Sequence, residues 1–322
     1  MSFVRECEKR ILSNEILTKQ DALTLAEQPL EELCSASDRI RRNFCKDRFD
    51  LCTIINAKSG RCSENCKFCA QSAYYHTEVK SYPLLPKAEI IERAKSDFER
   101  GVLRFSLVTS GRHLNDHEVD EACEAIRAIL AEIPIHICVS MGLLTKEQYS
   151  RLKEAGADRV HNNLEASARF FSSVCTTHTF EDKMAAIRAA QAAGLNVCSG
   201  GILGLGETME DRIDMVLSIR ELGVKSIPVN VLNPIPGTPF EKYSQLSLDE
   251  IRTTIAVFRF LVPDAAIRLA GGRGLMPDHG RLCFQSGSNA AISGDMLTTA
   301  GYTIETDFVM LKELGYVLAC LD

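Results

Sequence analysis

The stretch LCTIINAKSGRCSENCKFCAQS, residues 51–72, begins as a strand and ends as a cysteine loop. Residues 51–57 are apolar and β-branched, as a buried strand is. The loop that follows sets Cys62, Cys66 and Cys69 at a C-x₃-C-x₂-C spacing, and the next metal-binding side chain is His76. A closed structural metal site takes four ligands. Three thiolates leave one position open, and thiolates at such close spacings hold iron–sulfur clusters. A four-iron cluster on three cysteines keeps one iron free for a small molecule. The alternative is a zinc knuckle completed by a distant fourth ligand.

Outward from this loop, short β-branched runs alternate with helical patterns. Strands are expected at residues 51–57, 104–110, 135–141, 158–165, 196–204, 227–233, 266–272 and 290–294. Between them lie segments such as PKAEIIERAKSDFERG, TKEQYSRLKEAG, TFEDKMAAIRAAQAAG and TMEDRIDMVLSIRELG. The first starts on Pro and stops at Gly, and the others open on Thr with an acid or amide close behind, which is capping chemistry. Repeated βα units of this kind make parallel sheets. A (β/α)₈ TIM-type barrel needs about 250 residues, and residues 51–295 supply them. The reading is therefore an α/β chain with an N-terminal helical extension over 1–50, a barrel over 51–295 and a C-terminal helical segment over 296–322. An open doubly wound sheet is the alternative. In a barrel, the loop after the first strand lies on the catalytic face.

Composition bounds the function. Of 322 residues, 45% are hydrophobic and 25% charged, as in ordinary soluble proteins. The net charge of −6 with no basic run argues against nucleic acid. No apolar stretch has membrane-spanning length, and the N-terminus lacks a secretory h-region. Thirteen cysteines, an odd number without a signal peptide, argue for reduced thiols in the cytoplasm.

The loop CSENCKFCAQS resembles the signature of the radical S-adenosylmethionine (SAM) superfamily. The resemblance implies a [4Fe-4S] cluster on Cys62, Cys66 and Cys69 whose open iron chelates SAM, with Phe68 packing on the adenine. Further stretches narrow it: HNNLEAS (161–167), VCSGGILGLGET (197–208), NVLNPIPGTP (230–239), IRLAGGRG (267–274) and LCFQSGSNAAISGDMLTT (282–299) are similar to biotin synthases. That family converts dethiobiotin to biotin with sulfur from an auxiliary iron–sulfur cluster. By resemblance, Asn163 and Asn230 contact SAM or dethiobiotin, and Glu165 holds the ribose hydroxyls. Gly200, Gly201, Gly204 and Gly206 let backbone approach SAM; tight strand-to-helix packing is the other reading of the glycines. A reduced flavodoxin or ferredoxin as electron donor and a homodimer come with the family.

One position departs from the family. The auxiliary cluster is expected on three cysteines and an arginine. Cys138, Cys198 and Arg268 match, but Ser106 stands where the remaining cysteine is usual. A hydroxyl is a poor ligand for iron beside a thiolate. Cys52 is the replacement candidate. With Cys138, Cys198 and Arg268 it lies near the start of an odd-numbered strand, and a barrel layer takes one side chain from each of four alternate strands. Cys283 is the alternative, and the remaining cysteines, Cys175 among them, are read as structural. The Ser106 variant resembles a branch typical of anaerobes, so the auxiliary cluster is [2Fe-2S] or a larger sulfide-bearing species. No His–carboxylate pair is evident, as suits hydrogen-atom chemistry. The rival enzyme reading is a radical SAM maturase of the hydrogenase type; the rival outside enzymes is an iron–sulfur electron carrier.

Overall fold

Alternation of strand and capped helix is carried through in the computed structural model, which describes residues 1–294 and 302–321. The strands are β1 Arg48–Lys58, β2 Arg104–Thr109, β3 His136–Ser140, β4 Arg159–His161, β5 Asn196–Cys198, β6 Gly201–Leu203, β7 Ser226–Val231, β8 Ala266–Leu269, β9 Ala290–Ser293 and β10 Val317–Leu318. Parallel pairing runs β1-β2-β3-β4-β5-β7-β8-β9, and β1 also pairs β9, Cys52 opposite Ile292. The sheet is therefore a closed eight-position barrel, which excludes the open doubly wound sheet. β5 and β6 are one barrel position, interrupted at residues 199–200, with β6 continuing alongside β7. The limit expected at residues 295/296 lies outside the described residues.

Four of the helices that follow strands start on capping boxes: Asn115 with Glu118, Thr145 with Gln148, Thr179 with Asp182 and Thr208 with Asp211. Each pair satisfies two backbone donors that a helix start leaves open. Helices Phe3–Leu12, Lys19–Ala26 and Leu30–Cys45 precede the barrel and pack on its outer helices. Arg252 pairs with Glu31 at 2.8 Å and Lys19 with Asp214 at 2.7 Å along that seam.

The end of the barrel at the strand starts is closed by charge rather than hydrocarbon. Asp50, on β1, is 1% exposed. Its carboxylate meets Arg268 at 3.0 Å, Arg104 at 3.7 Å and Arg159 at 3.7 Å. The C-terminal tail completes the closure. β10 pairs with the start of β1, the Leu321 N–H donates to Asp50 Oδ2 at 3.1 Å, and Arg159 Nη2 donates to the Leu321 carbonyl at 2.8 Å. The Leu321 side chain packs on Ala266 and Ala290. Burial alone would raise the Asp50 carboxyl, but Arg268, Arg104 and Arg159 outweigh it and hold it at about 2.

A carboxyl depressed in the folded chain stabilises it above the ordinary carboxyl pKa of about 4, and that share is lost as pH falls through about 2. Asp50→Asn removes the buried carboxylate that faces Arg268, Arg104 and Arg159, so the cluster-free chain should lose about 3–5 kcal/mol in urea denaturation. The corresponding share of acid-induced loss should vanish in the variant. A cost below about 1 kcal/mol, within reach of an ordinary substitution, would contradict this role.

Candidate active site

The cysteine loop leaves β1 at the carboxyl end of the strands and folds back on itself. The Cys62 N–H donates to the Gln71 carbonyl at 2.9 Å, the Ala73 N–H to the Cys62 carbonyl at 2.8 Å, and the Cys69 N–H to the Cys66 carbonyl at 3.0 Å. Cys62, Cys66 and Cys69 are all half-buried. Burial pushes Cys69 up to about 11, and Cys62 and Glu165 add to the rise. These are three thiols on one short, internally bonded loop, and Cys69 faces the barrel cavity beside Phe68. That arrangement fits a cluster with one iron turned to the cavity.

The cavity runs down the barrel mouth with a volume of about 320 Å³. Asn163, Glu165, Asn230, His161 and Lys183 supply its polar wall, and Ile54, Val108, Ile202 and Ile292 its apolar one. The two asparagines are held by backbone. Asn163 Oδ1 accepts from the Gly200 N–H at 3.1 Å; Asn230 Nδ2 donates to the Gly201 carbonyl at 3.1 Å and its Oδ1 accepts from the Gly271 N–H at 2.9 Å. Glu165 adopts a left-handed φ of 68°. Such a conformation costs a non-glycine residue of order 1–3 kcal/mol and is typical of sites where a side chain must face one way. Burial raises the Glu165 carboxyl, with Lys183 opposing. Burial likewise lowers His161 to about 4; Asn163 opposes that, while Arg268 and Lys183 reinforce it, so the imidazole is neutral near pH 7.

The glycines have a different placement. A Cβ on Gly200 would sit 1.9 Å from the Pro228 carbonyl oxygen, and one on Gly201 2.5 Å from that of Glu165. Their smallness lets β6 cross close to β7 and to residue 165. Gly204, at φ 94°, lies beside Leu246 and Leu232. None of Gly200, Gly201, Gly204 or Gly206 lines the cavity.

Beneath the cavity, Cys52, Cys138, Cys198 and Arg268 come together from β1, β3, β5 and β8, the first, third, fifth and seventh barrel positions. All are at least 94% buried. Arg268 Nη1 donates to Cys52 Sγ at 3.2 Å, and to the carbonyls of Asp50 and Ala291 at 2.9 and 3.1 Å. Arg104 Nη1 reaches Cys138 Sγ at 3.9 Å, and Cys198 Sγ shares a hydrogen bond with Ser226 Oγ at 3.1 Å. Burial pushes Cys52 up to about 12 against Arg268, while Asp50, Cys138 and Cys198 add to the rise. Ser106 is buried on β2, level with Cys138 in the strand register. Cys283 is buried on the short helix Arg281–Phe284, within the main apolar core. Three thiols beside three guanidiniums and one carboxylate make a cationic chamber, which fits an anionic iron–sulfur cluster.

Several of these residues escaped the sequence reading: Asp50, Arg104, Arg159, His161 and Lys183. So did a group behind the loop. Cys175, read as merely structural, lies against Cys66, and His178 Nδ1 is 3.3 Å from Cys175 Sγ and 2.6 Å from Glu64 Oε2. The chain thus does contain a buried His–carboxylate pair, outside the cavity lining. The hydrogen bond with Cys66, helped by His178 and Thr177 against burial, holds Cys175 down to about 3; the same contact pushes Cys66 up.

Comparison with known proteins agrees with this geometry. Residues 57–219 match the radical SAM superfamily, and residues 228–317 match the biotin and thiamin synthesis associated domain. Biotin synthase of Brachyspira hyodysenteriae is 58% identical over 97% of this chain and 93% of its own length. Biotin synthase 2 of Corynebacterium diphtheriae is 54% identical over 99% of this chain and 97% of its own. Among solved structures, a methylornithine synthase superposes with a TM-score of 0.83 at 21% identity, covering 98% of both chains. An FeFe-hydrogenase maturase from Carboxydothermus hydrogenoformans gives 0.83 at 18% identity, over 98% of this chain and 79% of its own. The structural likenesses concern the fold alone. Identity above one half, sustained along nearly the whole chain, concerns more than the fold, and by it the chain belongs to the biotin synthase family of the radical SAM superfamily.

Proposed function

We propose that this chain converts dethiobiotin to biotin by SAM-dependent radical sulfur insertion, with the sulfur-donating cluster on Cys52, Cys138, Cys198 and Arg268. One observation carries the reading: a three-cysteine loop reaches the barrel cavity through Cys69, and three more thiols are buried in the same barrel. The upper set is Cys62, Cys66 and Cys69. The lower set lies directly below the cavity wall, since Cys52 is two residues under Ile54 and Cys198 is paired with His161. When bound, SAM and the two clusters supply hydrogen-atom abstraction and the inserted sulfide; the protein supplies position.

Each side chain then has a stated task. Phe68 offers a face to the adenine, and Glu165 accepts from the ribose hydroxyls. Asn163 and Asn230, locked by backbone bonds, present their remaining polar atoms to the ureido group or to SAM. Lys183, whose Nζ is 3.2 Å from Asn162 Oδ1, is a cation at the cavity wall for a reactant carboxylate. Ile54, Val108, Ile202 and Ile292 surround the alkyl carbons and keep water from them. Neutral His161 bridges the cavity and the sulfur layer without adding charge. Arg268 holds Cys52 and offsets negative charge on the cluster. No side-chain base is needed at the carbon centres, because hydrogen atoms move rather than protons. A flavodoxin- or ferredoxin-type donor, a homodimer and a cytoplasmic setting are part of the proposal; among the described residues, no helix is long and apolar enough to cross a membrane.

The direct test is an anaerobic incubation with SAM, dethiobiotin and a reductant, with the product identified by mass. Biotin is the expected product; SAM cleavage without it would overturn the reading. Cys62→Ala, Cys66→Ala and Cys69→Ala should each abolish 5′-deoxyadenosine formation. Cys52→Ala should keep SAM cleavage, lose the auxiliary share of iron and make little biotin, whereas Ser106→Ala should keep both. An intact auxiliary Mössbauer component in Cys52→Ala would remove Cys52 from the ligand set; Cys283, the other candidate, lies in the apolar core among Cys34, Arg252 and Arg273.

Lys183→Ala should raise the KM for SAM about 10- to 100-fold, the worth of a charge-assisted bond of about 1.5–3 kcal/mol. An unchanged KM for SAM with a raised KM for dethiobiotin would assign the lysine to the other carboxylate.

A further inference from the structure

Cys66 belongs to two donor sets. Toward the cavity it stands with Cys62 and Cys69; toward the protein it stands with Cys175 and His178. In the rear set, two thiol sulfurs and an imidazole nitrogen all lie within 4.8 Å of one another. Cys175 is 2% exposed and His178 7%. Thiolate and imidazole ligands lie about 2.3 and 2.0–2.1 Å from a tetrahedral zinc ion, so donors at this spacing close on one ion with small side-chain movements.

The arrangement is built, not incidental. Segment 174–178 is fastened to the cluster loop through its backbone. The Lys67 N–H donates to the Val174 carbonyl at 3.0 Å, and the N–H groups of Thr176 and Thr177 donate to Asn65 Oδ1 at 2.9 and 3.2 Å. The Asn65 N–H donates to Thr177 Oγ1 at 3.1 Å. These bonds fix Cys175 and His178 relative to Cys66. Glu64 Oε2, 2.6 Å from His178 Nδ1, also accepts from Thr177 Oγ1 at 2.8 Å and lies 3.5 Å from Arg112. Glu64 thereby braces the imidazole, and Arg112 offsets its charge; Asn65 Oδ1 and Thr177 Oγ1 lie 3.3 and 3.4 Å from Cys175 Sγ.

We propose that Cys66, Cys175 and His178, the last braced by Glu64, form a site for a single thiophilic divalent cation, held by the chain before the four-iron cluster is in place. Because Cys66 is common to both sets, the single ion and the cluster compete for it. A ferrous ion there is positioned to become part of the cluster. Zinc, which forms no such cluster, blocks it.

Cobalt(II) is the probe, titrated anaerobically into the metal-free full-length chain. Thiolate-to-cobalt charge transfer with tetrahedral ligand-field bands is expected. Cys175→Ala should bind one equivalent fewer than the wild type, His178→Ala should weaken that equivalent, and Cys69→Ala should retain it. Preloading one zinc should slow assembly of the cluster on Cys62, Cys66 and Cys69 in the wild type and not in Cys175→Ala; preloading one ferrous ion should slow it in neither. Unchanged cobalt stoichiometry in a Cys175→Ala chain with native circular dichroism would overturn the proposal. So would loss of the same equivalent in Cys69→Ala, which would put the ion in the forward set.

Discussion

Arg268 inside the barrel is the constraint on which the interior depends. A buried guanidinium is tolerated only when its charge and donors are met. Asp50 meets the charge at 3.0 Å, and the carbonyls of Asp50 and Ala291 and the sulfur of Cys52 surround Nη1. Asp50 in turn draws in Arg104 and Arg159, and the tail closes over the group through Leu321. The small side chains Ala266 and Ala290 leave room for Leu321. What remains in the centre is a cationic chamber lined by thiols, which has little use as a core and a clear use as a cage for anionic sulfur.

Vertical order then turns the cage into a reaction path. On each strand the inward residues recur every second position, so the barrel stacks its chemistry in tiers. Arg104 and Arg159 are lowest, Cys52, Cys138, Cys198 and Arg268 next, and Ile54, His161 and Ile292 line the cavity above, under the cysteine loop. On the proposed ligand sets, a substrate carbon in that cavity would have hydrogen abstraction above it and sulfur below it. The barrel sets this spacing through strand register, a rigid device compared with any loop.

The same period of two explains what could be read in advance. The barrel was legible because capped helices and β-branched runs alternate at regular length. Cys138, Cys198 and Arg268 were legible from the family resemblance, and Cys52 joined them because alternate strands supply a layer. Asp50, Arg104 and Arg159 sit two residues before Cys52, Ser106 and His161, and His161 two before Asn163, so the pattern held them too; a charge at a strand start does not by itself say that it turns inward. The pairing of Cys66 with Cys175, more than a hundred residues apart, was not legible, because only the folded turn at 174–178 brings them together. The glycines of the fifth strand carried both meanings equally, and only the 1.9 Å approach of the Pro228 oxygen separates packing from ligand contact at Gly200.

Diffraction at the iron absorption edge, from crystals of the anaerobically reconstituted protein, tests the account at its centre. Two anomalous peaks are predicted along the barrel axis. One should lie on Cys62, Cys66 and Cys69, and a second, separate one on the sulfurs of Cys52, Cys138 and Cys198 with the Arg268 guanidinium against it. A second peak that leaves the Cys52 sulfur out of contact, or no iron in the lower chamber at all, would contradict it.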